Sequence, residues 1–142
     1  MPNGMVITED GSTLVVGETL GSRCSAFEIC QDGGLGSRRI WAELTSPSGS
    51  AAPDGCSIDA EGLIWYADAF GGRCARVAEG GQVVDEVKVP DGLSVFACML
   101  GGAGGRSLAM CCAPDFDHVR RTKAKESVVL TVEVDVPRAG CP

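Results

Sequence analysis

Asn3-Gly4-Met5-Val6-Ile7-Thr8-Glu9-Asp10-Gly11 and Asp54-Gly55-Cys56-Ser57-Ile58-Asp59-Ala60-Glu61-Gly62 follow one template. The match continues through Leu14-Val15-Val16-Gly17-Glu18 and Ile64-Trp65-Tyr66-Ala67-Asp68. It ends with Gly21-Ser22-Arg23-Cys24 and Gly71-Gly72-Arg73-Cys74. The offset is 51 residues at the start and 50 after a deletion near Ser12. A repeat of that length built from short strands points to propeller blades. It also places Asn3 and Asp54 at equivalent points of neighbouring blades.

Working outward, short apolar or alternating runs dominate. Met5 to Thr8, Thr13 to Gly17, Cys24 to Ile29 and Arg39 to Leu44 read as four strands, punctuated by Asp10-Gly11, Gly21 and Asp32-Gly33-Gly34. A loop from Thr45 to Pro53 leads to a second set: Cys56 to Asp59, Leu63 to Ala67, Arg73 to Ala78 and Gln82 to Val89. Glu79-Gly80-Gly81 forms the last hairpin turn of that set. A third unit has strands at Val95 to Leu100, Ser107 to Cys112 and Val128 to Val136. Pro114 to Ser127 is a polar, helix-compatible insertion. The reading is an all-β partial propeller, with blades over roughly residues 3–44, 54–90 and 95–136.

Each blade hides its faces only against neighbours, so a row of blades must close or be capped. Propellers close at about four to eight blades. Three blades, the last lacking an outer strand, do not make a ring. The expectation is that residues 1–142 are the C-terminal half of a longer protein. Self-association through the open blade faces is the alternative way to cover them.

The net charge of −7 argues against a nucleic-acid backbone as partner. No apolar run is long enough to span a bilayer, and the N-terminus has no secretory pattern. A cytoplasmic location with no membrane partner follows as the expectation. The eight cysteines contain no C-x-x-C pair. Zinc frameworks and disulfide scaffolds are therefore disfavoured, and most of the cysteines, including Cys56, Cys98 and Cys111, read as reduced, small, buried hydrophobes.

Asn3 and Asp54 each stand before a glycine at the start of an innermost strand, where a side chain points into the axial opening. An amide oxygen and a carboxylate suit Ca²⁺, Mg²⁺ or Mn²⁺, and Zn²⁺ tolerates the carboxylate. The adjacent glycines let the backbone turn and leave room for a ligand. The competing reading makes both merely turn residues, since Asn-Gly and Asp-Gly are common turn pairs. Aligning Ile58 with Leu100 puts Phe96 at the third equivalent position, as an apolar channel wall or as core. Glu18 and Asp68 form a second equivalent pair, read as ordinary turn-capping acids in preference to outer-shell acids near the channel, and Arg23 and Arg73 match too. Repetition points to a structural pairing of these acids with these arginines. Asp59 and Glu61 read as turn acids, and Trp41, Trp65 and Tyr66 as filling between blades. His118, in the insertion, has no Ser or Asp arrangement around it that suggests a triad.

The ordered set Pro2-Asn3-Gly4, Asp10-Gly11, Arg38-Arg39-x-Trp41, Pro53-Asp54-Gly55-x-x-x-Asp59-x-Glu61-Gly62-x-x-Trp65-x-Ala67, Gly71-Gly72-Arg73 and Ala97-Cys98-x-x-Gly101-Gly102 resembles the second half of the SMP-30/gluconolactonase family. The resemblance implies a six-bladed propeller with one divalent metal in its channel and hydrolysis of sugar lactones. It implies Asn3 as a metal ligand through its amide oxygen, and Asp54 as ligand and general base. The family's glutamate ligand and its substrate-binding arginine and asparagine fall outside this sequence. The alternative is a non-catalytic calcium-binding or regulatory propeller module, or an inactive fragment.

Overall fold

A computed structural model describes residues 1–140. The first sheet is an antiparallel meander of β1 (Pro2–Ile7), β2 (Thr13–Glu18), β3 (Arg23–Glu28) and β4 (Arg39–Glu43). A small hairpin follows, β5 (Thr45–Ser46) with β6 (Gly49–Ser50), where the sequence predicts only a loop. The second sheet holds β7 (Pro53–Ile58), β8 (Ile64–Asp68), β9 (Arg73–Val77) and β10 (Val83–Lys88). The third has β11 (Ser94–Gly101), β12 (Ser107–Ala113) and β13 (Val128–Glu133). These three sheets are blades of a partial propeller, and β1, β7 and β11 are its inner strands.

Apolar side chains seal the two blade junctions. Val6, Val15, Cys24, Ala26 and Trp41 of the first blade bury against Ile64, Tyr66, Ala75 and Val77 of the second. Trp65, Ala67 and Cys74, on the opposite face of the second blade, meet Cys98, Leu100, Leu108 and Met110 of the third. The alternation along each strand is what gives a blade two such faces. Trp41, Trp65 and Tyr66 are buried, as their inter-blade assignment predicts.

Glycine fixes how closely the inner strands approach. A Cβ on Gly4 would strike the Asp54 carbonyl and lie 2.6 Å from the Cys56 amide nitrogen. A Cβ on Gly55 would lie 2.7 Å from Ala97 Cα. Neither glycine has positive φ. Their role is thus backbone contact between blades, and the tight-turn role expected from sequence is corrected. The Ser57 hydroxyl ties the second junction by accepting from the Leu100 amide at 3.1 Å.

Seven cysteines fall within residues 1–140 and all are free thiols. Burial pushes the Cys24 thiol up to about 12 and raises Cys56 well above the ordinary value; Cys98 is raised well above it by hydrogen bonding with Cys74 and then by burial, so all three stay protonated. Cys111 is exposed, contrary to expectation, because it sits on the uncovered face of the third blade. Cys141 lies outside the described residues.

The segment from Pro114 to Ser127 carries one short helix, α1 (His118–Arg121), capped by the Asp117 carboxylate accepting from the Arg120 amide. Arg121 pairs with Asp115 and Glu126. No helix among the described residues is long and apolar enough to cross a membrane. After β13 the chain returns beneath the blades: the Ala60 amide donates to the Pro137 carbonyl at 2.8 Å, and Arg138 bridges to Asp59.

Candidate functional site

One irregularity recurs in all three inner strands. The pairing of β1 with β2 shifts by one residue between Pro2 and Met5, and that of β7 with β8 shifts between Pro53 and Cys56. The pairing of β11 with β12 shifts between Val95 and Ala97. Each shift is a β-bulge carrying one extra residue, a device that releases a side chain from the ladder and re-aims it. The bulged segments contain Asn3-Gly4, Asp54-Gly55 and Phe96. Asn3 and Asp54 therefore lie inside strands rather than in turns. The close contacts of Gly4 with Asp54 and of Gly55 with Ala97 set the three bulges side by side.

A short polar relay joins the first two. The Asn3 amide nitrogen donates to Thr19 Oγ1 at 3.2 Å, and that hydroxyl donates to the Pro53 carbonyl at 2.9 Å. Thr19 is buried, and its anchored hydroxyl sets the orientation of the amide. Sequence reading missed Thr19. The available signal was that Thr19 puts a hydroxyl where the second repeat has Ala69.

Asp54 is half-buried, and among the described residues it has no ion-pair partner. Burial pushes its carboxyl above the ordinary value, and hydrogen bonding from the Asn3 side chain offsets part of the rise. A desolvated carboxylate beside a neutral amide is a donor set that suits a hard cation. Among the described residues no three His, Cys, Asp or Glu side chains converge as a metal cluster. Asn3 and Asp54 thus fit as part of a shell, whereas Ca²⁺ takes about six to eight oxygens.

The other acids are satisfied differently. Glu18 pairs with Arg23 at 2.9 Å and takes a hydrogen bond from the Ser25 hydroxyl. Asp68 pairs with Arg73 at 3.5 Å and accepts from the Ala52 amide at 3.0 Å. Asp59 accepts from the Glu61 and Leu63 amides and pairs with Arg76 at 2.6 Å. The repeated acid–arginine pairs are therefore structural, as their duplication predicts.

Glu18 yields a pH prediction. The Arg23 hydrogen bond, then Ser25, hold its carboxyl down from 4.5 to about 2. Its contribution is present in full above the unfolded value and is lost as pH falls through the folded one. Urea unfolding of the native chain and of Glu18→Gln is expected to differ at pH 6 by about 1 kcal/mol, a figure discounted for solvent. The difference should vanish by about pH 2. A gap unchanged in acid would refute the pairing.

Aromatic rings occupy the rim. Phe96 packs edge-on to Phe116 from the insertion, at 6.4 Å between centroids, and Phe116 lies 6.1 Å from Phe70. Phe96 in the third bulge is thus half-buried beneath a partly exposed aromatic cluster. His118 is exposed on α1 and joins none of these groups.

Residues 1–114 match the SMP-30/Gluconolactonase/LRE-like region. The chain is 27% identical over 139 residues to 6-deoxy-6-sulfogluconolactonase of Pseudomonas putida, covering 98% of this chain and 43% of that protein. It is 31% identical over 115 residues to regucalcin of Gallus gallus, covering 80% of this chain and 38% of the relative. Among solved structures it superposes on a luciferin-regenerating enzyme with a TM-score of 0.77 at 20% identity, over 97% of this chain and 47% of that one. The chain thus spans less than half the length of these proteins. The extent of the sequence match and the shared architecture show that it belongs to the SMP-30/gluconolactonase family.

Proposed function

We infer that this chain carries part of the active centre of a metal-dependent lactonase acting on lactones of sugar acids. The observation that carries the reading is the placement of Asn3 and Asp54 in equivalent bulges of adjacent inner strands, with the Asp54 carboxyl half-buried and, among the described residues, without an ion-pair partner. The lactonase names of the relatives, including L-arabinolactonase of Azospirillum brasilense, support the substrate class.

Asn3 and Asp54 would hold the cation, and a bound divalent cation supplies Lewis-acid polarisation of a lactone carbonyl. Asn3 contributes a neutral oxygen and so leaves the cation's charge unquenched. Asp54 takes a proton from the attacking water as its oxygen bonds to the carbonyl carbon. The same carboxyl returns that proton to the ring oxygen as the carbon–oxygen bond breaks, releasing the open hydroxy acid. A bound cation lowers the proton affinity of a carboxylate it touches, so Asp54 would take and return the proton through an oxygen only partly engaged by the ion. Phe96, Phe116 and Phe70 form an aromatic cluster beside the third bulge, with Phe70 and Phe116 largely exposed.

The test uses the protein supplied with its full set of blades. Asp54→Asn is expected to lower hydrolysis of glucono-δ-lactone by about 10²-fold or more, followed by pH-stat with added Mn²⁺. Mn²⁺ binding, read by electron paramagnetic resonance, should weaken in parallel. Near-normal turnover would remove Asp54 from the chemistry. A regucalcin of Agrobacterium tumefaciens described as a calcium-binding protein supports a second reading, a cation-holding module without turnover. Retained Mn²⁺ binding by the native protein with no hydrolysis would select it.

A further inference from the structure

The two outer faces of this half-ring are complementary by descent from the same repeat. In the second blade Cys56, Ile58 and Ile64 receive the blade before it, and in the third Cys98, Leu100 and Leu108 do the same. The repeat offset and strand registers place Met5, Ile7 and Leu14 at those positions in the first blade. Among the described residues no blade covers them: Met5 is 60% exposed and Ile7 53%. In the forward direction, Val6 and Cys24 of the first blade insert against the second, and Cys74 of the second against the third. Their counterparts in the third blade are Met99 and Val129, 53% and 68% exposed. One chain therefore presents both a receiving and an inserting face, of the kind that already meet twice inside it.

We propose that two copies of this chain join through these faces into one closed ring. Three blades make up 47% of the luciferin-regenerating enzyme chain and 48% of a regucalcin from Agrobacterium tumefaciens, so one copy is half a turn. A head-to-tail contact that advances by half a turn closes at two copies and leaves no free face. Met99 of each copy then seats between Met5 and Ile7 of the other, as Val6 seats against Cys56 and Ile58. Closure brings two Asn3 amides and two Asp54 carboxylates to one channel. Only this last point rests on the metal reading above, and it supplies side-chain oxygens that one copy lacks.

Sedimentation equilibrium on the 142-residue chain is expected to give roughly 29 kDa, twice the 14.6 kDa of one copy. A 14.6 kDa species would overturn the proposal and assign the faces to further blades of a longer chain. Species larger than two copies would overturn it equally. Ile7→Lys and Met99→Glu are each expected to sediment as monomers. Their mixture should recover the dimer, with one Lys–Glu junction and one native junction. Folded variants that fail to recombine, or that stay dimeric alone, would refute the geometry. If either variant fails to fold, the native mass alone decides. Mn²⁺ titration separates the two readings: the Ile7→Lys monomer should bind roughly tenfold more weakly or worse, having half the side-chain oxygens. A dimer that binds no Mn²⁺ would sink the metal reading and leave the ring standing. A monomer sinks the ring whatever the ion does.

Discussion

Gly4→Ala is expected to destabilise the chain by about 3 kcal/mol or more, a large share of what a domain of this size has to spare. The new methyl would overlap the Asp54 carbonyl and sit 2.6 Å from the Cys56 amide nitrogen. Both obstacles are backbone, so no rotamer change relieves them. Each strand is also pinned, β1 by its ladder to β2 and β7 by its ladder to β8, so separating them disturbs two sheets. Gly55→Ala should behave alike, since its methyl would meet Ala97 Cα at 2.7 Å. Gly101→Ala is the control. Nothing lies within 4 Å of a Cβ there, and its φ is not positive. Its effect should stay within about 0.5 kcal/mol. Urea unfolding followed by circular dichroism measures all three. A Gly4→Ala midpoint equal to that of Gly101→Ala would show that the inner strands do not touch as described.

Asp68→Ala is expected to cost about 3 kcal/mol or more, and Glu18→Ala only about 1 kcal/mol, although the two acids are equivalent in the repeat. The difference is burial. Asp68 is fully enclosed, and its arginine nearly so, whereas the Glu18 pair is partly wet. Removing Asp68 strips Arg73 of one partner inside the protein and leaves the Ala52 amide without its acceptor. Arg73 retains Glu86 at 2.6 Å and the Thr45 carbonyl at 2.7 Å, which keeps the cost from rising further. A side chain at Gly71 would strike the Asp68 carboxylate and lie 2.8 Å from the Ser46 hydroxyl, so the pocket around this acid is closely fitted. Equal losses from the two variants would mean that the Asp68 pair is as hydrated as its twin.

The strands of the first two blades are legible in the sequence because local chemistry marks both their faces and their ends. Asp10-Gly11 and Glu79-Gly80-Gly81 end runs whose alternation then appears as two-sided burial. The acid–arginine pairs are legible for another reason: the repeat states them twice, at Glu18 and Arg23 and again at Asp68 and Arg73. The bulges are not legible, because an extra residue exists only relative to a partner strand. Asn3-Gly4 looks like a turn pair, since the neighbour that demands glycine there is 50 residues away in the chain. Thr19 is invisible for the same reason, as its partners are Asn3 and the Pro53 carbonyl. Cys111 reads as buried because its strand pattern is that of a covered blade, whereas its exposure depends on whether another blade is present.

The bulged positions have a consequence for how such a molecule acquires new chemistry. A residue in that slot is excused from ladder pairing, so its identity is uncoupled from the cost of holding the sheet. Asparagine, aspartate and phenylalanine occupy the same slot in three successive blades with the surrounding strands unchanged. Scaffold and reactivity are therefore inherited separately. Mutation can respell the mouth one letter per blade while the frame that displays the letters stays fixed.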